Sequence, residues 1–149
     1  MAVKPIPEGF HTITPYLVVS DAAKLIDFLK HAFDAKEVHR SAADGVIRHA
    51  QLIIGDSPLM LAEGGEQWKP LPCAMYLYVK DTDATYKQAV AAGGTSLMAP
   101  ADQFYGDRNA GVVDPSGNQW WIATHIEDVS DAEMSKRFDE AMKKRQAAG

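Results

Sequence analysis

The side chains best suited to chemistry in this 149-residue chain are five histidines, five tyrosines, three tryptophans and one cysteine. His49 and Gln51 fall on one face of the extended segment IRHAQLII, since alternate strand residues point the same way. A histidine there can donate to a ligand, act as a general base or ligate a metal. It can equally be a polar residue satisfied by its neighbours. His125 ends the segment QWWIATH, where Glu127 and Asp128 just beyond would raise its pKa through their negative charge. A structural hydrogen bond at a strand end is the plainer alternative. His11, His31 and His39 read as peripheral. The segment FYGDR places Tyr105 and Arg108 around Gly106, which permits a sharp bend. Arg108 could grip a carboxylate or phosphate bidentately, or instead pair with Asp107 and tether its loop. No His-x-His or His-Glu-x-x-His spacing occurs, so there is no local zinc motif. No spacing joins a serine to a histidine as nucleophile and base, and no catalytic residue is assigned. Cys73, beside two prolines in PLPCAM, reads as a packing residue.

Trp120 and Trp121 pose a different question. They follow DPSGN, Asp114–Asn118, in which Asp and Pro open a turn and Gly and Asn take left-handed positions. A strand should follow, and adjacent strand residues face opposite sides. Trp120 then shares a face with Ile122, and Trp121 shares one with Ala123 and His125. One of the pair is core and the other is wall.

The elements that position these residues come in two copies. YLVVSD begins at Tyr16 and YLYVKD at Tyr76, sixty residues later. After the first, Leu25, Phe28, Leu29 and Ala32 recur at helical spacing, with Ser20 or Asp21 placed to cap. After the second, Tyr86, Ala89 and Val90 share a helix face, ended by Gly93-Gly94. A strand is expected after each helix, near Lys36–Ala42 and Thr95–Pro100. Each half then closes with two strands around a turn, Gly-Asp-Ser-Pro in one and Asp-Pro-Ser-Gly-Asn in the other. The expected class is α+β: two βαβββ modules forming a curved mixed sheet around a cavity, plus a C-terminal helix. The boundaries are 12–63 and 73–126 for the modules, 64–72 for the linker and 130–147 for the helix, within one domain over 1–149. Ser130 and Glu133 form a capping box, and Met134, Phe138 and Met142 make an apolar stripe. That stripe docks on its own chain or on a dimer partner.

Composition narrows the function. A net charge of −5 disfavours nucleic acid, whose phosphates need a basic face. One cysteine excludes an internal disulfide and a thiolate metal cluster. No apolar run approaches the ~20 residues of a membrane span. The opening residues carry no signal-peptide pattern, so a cytoplasmic location is expected.

The Tyr-Leu-x-Val-x-Asp strands, the paired modules and Asp-Pro-x-Gly-Asn before the last strand resemble the vicinal oxygen chelate superfamily. Phe104–Ser130 is most similar to its PhnB-like, glyoxalase/bleomycin resistance branch. The resemblance implies an open cavity walled by both modules. It also implies metal ligands on the first and last strand of each module. Here those positions are Thr14, Ala74, Trp121 and, at the sixty-residue shift, Leu61, with Glu63 two residues on. Ala and Trp cannot ligate, so no metal and no cofactor is expected at the family positions. The implied cavity wall instead carries Tyr16, Tyr76, Tyr78 and Trp121, with His49, Gln51, Tyr105, Arg108 and His125 as polar contacts. The expected function is metal-free binding of a small aromatic or planar molecule, for sequestration or resistance, by a homodimer. The alternative is a glyoxalase-like lyase, isomerase or dioxygenase with a metal relocated to His49, Glu63 and His125.

Overall fold

The aspartate that closes each Tyr-Leu-x-Val-x-Asp segment caps a helix. In the computed structural model, which describes residues 2–149, Asp21 accepts from the Lys24 amide at 3.1 Å. Asp81 does the same for the Ala84 amide, also at 3.1 Å. Each bond satisfies an amide that the first helical turn leaves without a partner. Asp21→Ala and Asp81→Ala should each cost about 1 kcal/mol. Urea unfolding at unchanged m-value measures this; midpoints equal to wild type would show that water replaces the caps.

The element order is β1 (Tyr16–Val19), α1 (Ala22–Phe33), β2 (Lys36–Ala43), β3 (Val46–Ile54) and β4 (Ser57–Glu63), then β5 (Ala74–Tyr78), α2 (Thr82–Ala91), β6 (Thr95–Asp102), β7 (Asp107–Val113) and β8 (Gln119–His125), then α3 (Asp131–Ala148). The expected α+β class and both βαβββ modules are present. Each module is a four-stranded mixed sheet, β1-β4-β3-β2 and β5-β8-β7-β6. In each, the outer strand before the helix runs parallel to the last strand, and the other pairs are antiparallel. The sheets are not hydrogen-bonded to one another and no barrel closes.

Register decides what each face carries. Leu17 pairs with Leu61, and Leu61 with Ala50. Met75 pairs with Trp120, and Trp120 with Val112. These residues face the helices. α1 buries Leu25, Ile26, Phe28, Leu29, Ala32 and Phe33 there. Phe33 lies against Trp120 with ring centroids 5.2 Å apart, so one core serves both modules. α2 packs on α1, and the Gln88 amide donates to His31 O at 2.8 Å and to Asp34 Oδ1 at 3.1 Å. Because the helix-bearing faces share this core, the opposite faces of both sheets turn outward.

Two expectations change. Val90 is exposed rather than buried beside Ala89. α2 meets α1 through the small Ala89, and Gly94 lies so near that a Cβ would stand 2.9 Å from Ala89 O and 3.3 Å from Phe28. The tail helix is attached mainly near its start. Ser130 caps it, accepting from the Glu133 amide at 3.2 Å. The Glu133 carboxylate turns to Arg137 instead of back to the cap. Arg137 also grips Glu127 at 2.7 and 2.9 Å and donates to Phe104 O at 3.1 Å, while Phe138 meets Phe104 edge-on. None of α3 is buried. No helix among the described residues is long and apolar enough to cross a membrane.

Candidate functional site

The outward face of module two is built by alternation along three strands. β5 contributes Tyr76 and Tyr78, β8 contributes Trp121, Ala123 and His125, and β7 contributes Asp107, Asn109 and Gly111. Tyr76 pairs with Trp121 and Trp121 with Gly111; Asp107 pairs with His125. The absence of a side chain at Gly111 makes room for an indole. A Cβ there would stand 2.7 Å from Trp121 Cζ3, so the ring lies flat over the glycine. The Trp121 N–H donates to Gln119 Oε1 at 3.3 Å.

Asp107 is the hub. It is only 5% exposed, and both oxygens are engaged. Oδ2 accepts from the hydroxyls of Tyr76 at 2.8 Å and Tyr78 at 3.0 Å. Oδ1 faces His125 Nδ1 at 2.9 Å, and His125 Nε2 faces Asp128 Oδ1 at 2.8 Å. Asn109 Nδ2 donates to Tyr76 Oη at 3.3 Å and to Tyr105 Oη. Gly106, at φ +92°, folds Tyr105 back to this point, and its carbonyl accepts from the Ile126 and Glu127 amides. A Cβ at Gly106 would collide with Glu127 O, so the FYGDR bend requires glycine.

The electrostatics follow from these bonds. Burial pushes the Asp107 carboxyl upward, but His125, Tyr76 and Tyr78 together hold it below its ordinary value. Burial raises Tyr76, and the neighbouring Asp107 anion adds to this. Tyr78 is raised chiefly by its bond to Asp107. Both tyrosines therefore stay neutral. Asp128 first and Asp107 second hold His125 above its ordinary value, as expected for a ring with a carboxylate at each nitrogen.

Stabilisation from His125 is complete below about pH 6.5 and fades as pH rises through its raised value. That from Asp107 is complete above about pH 4 and fades as pH falls through its lowered value. The network should thus be tightest between those limits. Thermal midpoints measured across pH should fall on the alkaline side in wild type and flatten there in His125→Gln. Parallel alkaline profiles for the two proteins would detach His125 from the network.

Module one carries a second polar group on its outward face. Tyr16 Oη lies 3.5 Å from His49 Nδ1. His39 stands beside His49, ring centroids 6.2 Å apart, and contacts Ser41 at 2.8 Å. The sequence reading left His39 at the periphery. The β2–β3 register, with His39 opposite Gln51 and Ser41 opposite His49, brings it onto this face.

Three further placements differ from expectation. Arg108 lies on the helix-facing side of β7, where Asp83 holds it at 2.7 and 2.9 Å and Asp102 at 2.9 Å. It therefore tethers β7 to α2 and β6 and is absent from the aromatic face. Its neighbour Asp107 cannot pair with it, because adjacent strand residues point apart. Leu61 is core, and the partner of Tyr16 is Met60, just as the partner of Tyr76 is Trp121. The longer DPSGN turn makes the shift sixty-one here. Glu63, in register with Val19, follows Leu61 to the helix side, away from His49, while His125 belongs to the other sheet. The relocated metal set does not converge. Tyr16, His49 and Gln51 likewise share no sheet with Tyr76, Tyr78, Tyr105, Trp121 and His125.

The four positions that correspond to family metal ligands are therefore Thr14, Met60, Ala74 and Trp121, a set offering a hydroxyl, a soft thioether and nothing more. Among the described residues, no three His, Cys, Asp or Glu side chains stand together to hold a metal ion. These residues do not fit the family's divalent metal. A recess of about 1370 Å³ lies beside this face and not over Trp121. It runs along the free edge of β5, between Tyr76, Tyr78 and His125 on one side and the β3–β4 turn on the other.

A sequence model described as Glyoxalase/Bleomycin resistance protein/Dioxygenase superfamily matches residues 9–122. The uncharacterized protein Rv0887c of Mycobacterium tuberculosis is 37% identical over 143 residues, covering 85% of this chain and 84% of that one. Among solved structures, TioX from Micromonospora sp. ML1 matches with a TM-score of 0.68 at 25% identity, over 78% of this chain and 99% of that one. A PhnB protein from Bacillus cereus matches with a TM-score of 0.62 at 19% identity, over 76% and 99%. At that identity the likeness is one of fold.

Proposed function

Because the chain belongs to the Glyoxalase/Bleomycin resistance protein/Dioxygenase superfamily, we propose that it binds a small planar organic molecule without a metal, on the outward face of module two. One observation carries this reading: Tyr76, Tyr78 and Trp121 form an aromatic wall, the two tyrosine rings 5.4 Å apart and tilted by 63°, that Asp107 and Gly111 fix from behind while both tyrosines stay open to solvent. Tyr76 is 45% exposed and Tyr78 66% exposed. Aromatic rings held this way offer stacking worth about 0.5–1.5 kcal/mol per pair beyond burial.

The wall needs a second side, and a second copy of this chain would supply it. Module one exposes Ile13 and Tyr16, and the linker exposes Trp68 and Leu71. β5 is an unpaired sheet edge, and β1 is met only by the linker, through Val18 and Leu71. Open edges beside exposed apolar rings favour association. In a two-fold dimer each module-two wall can face module one of its partner, giving two equal sites.

Light scattering should give the mass of a dimer, and a thermal-shift panel of planar aromatics should yield hits. Trp121→Ala should weaken every hit while the dimer persists. A monomer at micromolar concentration, or hits indifferent to Trp121→Ala, would remove this reading.

A further inference from the structure

The polar groups of the module-two wall are almost all committed as donors before any ligand arrives. A carboxylate only accepts, so the hydroxyl protons of Tyr76 and Tyr78 both point inward at Asp107 Oδ2. The Trp121 N–H is given to Gln119. Asn109 Nδ2 faces Tyr76 and Tyr105, and Asn109 Oδ1, in a residue only 3% exposed, has no partner at all. The two ring nitrogens of His125 are taken by Asp107 and Asp128. Tyr105, which accepts from Asn109, is the one hydroxyl of the group whose proton has no assigned acceptor. What remains facing outward is a set of lone pairs on Tyr76, Tyr78 and Gln119 and the electron-rich faces of three rings, against two free donors, the Tyr105 hydroxyl and the Gln119 side-chain amide.

Charge points the same way. Two carboxylates, Asp107 and Asp128, flank one imidazole, so the cluster is net negative whether or not that ring carries a proton. The nearest arginine along β7, Arg108, is on the other side of the sheet and held by two carboxylates of its own. Two lysines border the neighbouring recess, Lys80 beyond Tyr78 and Lys36 on the module-one side, and neither bonds to the wall.

Resting on the binding role proposed above, we infer that this wall selects ligands by donor content, and that its preferred occupant is a planar organic cation such as an aryl-amidinium or aryl-ammonium. Such a ligand donates to the outward lone pairs of Tyr76 and Tyr78 while its charge sits against the ring faces. A planar carboxylate of the same shape meets a net negative field and finds donors only in the Tyr105 hydroxyl and the Gln119 side-chain amide. This is opposite to the polarity of a site built to hold a metal and polarise two substrate oxygens.

Three probes of one shape separate the possibilities: benzamidine, benzamide and benzoate, titrated into the full-length protein and followed by tryptophan fluorescence and NMR. Benzamidine should bind about tenfold or more tighter than benzoate, with benzamide between, and added salt should narrow the gap. Asp107→Asn should shrink the gap to about threefold or less, since an amide can donate and releases a tyrosyl proton outward. Should that variant fail to fold, Tyr78→Phe serves instead, because its exposed ring stays while the outward lone pairs go; benzamidine alone should weaken. Benzoate binding as tightly as benzamidine would overturn the donor rule and leave the binding role standing. Silence from all three probes would overturn both. A preference that survives Trp121→Ala unchanged would locate the selectivity elsewhere and overturn the assignment to this wall.

Discussion

Trp120→Ala should cost about 3–5 kcal/mol of stability, whereas Trp121→Ala should cost about 1 kcal/mol. The two residues are adjacent and chemically identical, so the difference is one of face alone. Trp120 is 1% exposed, lies against Phe33 and gives its N–H to Asp114 at 2.7 Å. Alanine there leaves a cavity at the point where the two modules share their core. Trp121 is half-buried on the outward face, where it covers Gly111, so its loss uncovers a strand without opening the shared core. Its cost should appear in ligand binding. Guanidinium unfolding of the two variants side by side is the measurement. Equal losses would mean that the strand after DPSGN has slipped by one residue, exchanging the two faces.

Asp114→Ala should be nearly as damaging, at about 3 kcal/mol or more. Its buried carboxylate accepts from four donors: the Ser116 amide at 2.7 Å, the Asn118 amide at 3.0 Å, Asn118 Nδ2 at 2.9 Å and Trp120 Nε1 at 2.7 Å. Asn118 in turn accepts from the Cys73 amide at 3.1 Å, fastening the start of β5. Removing the carboxylate leaves several buried donors without partners, each costing about 1–3 kcal/mol before water enters. Asp114→Asn is not a gentle change, because its amide would present hydrogens to donors. A double-mutant cycle with Trp120→Phe, which lacks the N–H, should show coupling of about 1 kcal/mol or more. Additive losses would show that the indole bond contributes nothing. Ser116→Ala is the control: its hydroxyl is buried without a partner, and its loss should be close to neutral.

The DPSGN stretch shows how much of the site the sequence carried. A turn and the opposite orientation of the two tryptophans are local consequences of residue type and strand period, and both hold in the structure. The capping aspartates, the module repeat and the α+β class are legible for the same reason. The clamp made by Asp114 is not, because its donor at Trp120 sits six residues on, beyond any turn rule. Asp107, Asn109 and Gly111 could have been placed with Trp121 by alternation. Attention to Arg108 as a fixed cation hid them, and Arg108 falls between Asp107 and Asn109 on the opposite face.

The sequence by itself determined the modules, the helix caps, which tryptophan belongs to the core, and that Ala74 and Trp121 cannot ligate while Thr14 offers only a hydroxyl. These depend on chain-local geometry or on chemistry that no fold can alter. Only the tertiary structure decided that Met60 rather than Leu61 answers to Trp121, since register between strands depends on turn length and pairing. Only it gathered Tyr76, Tyr78, Asn109 and His125 around Asp107, and His39 beside His49. Those groups come from strands brought side by side by the sheet, and hydrogen-bond polarity is fixed only once donor and acceptor have met.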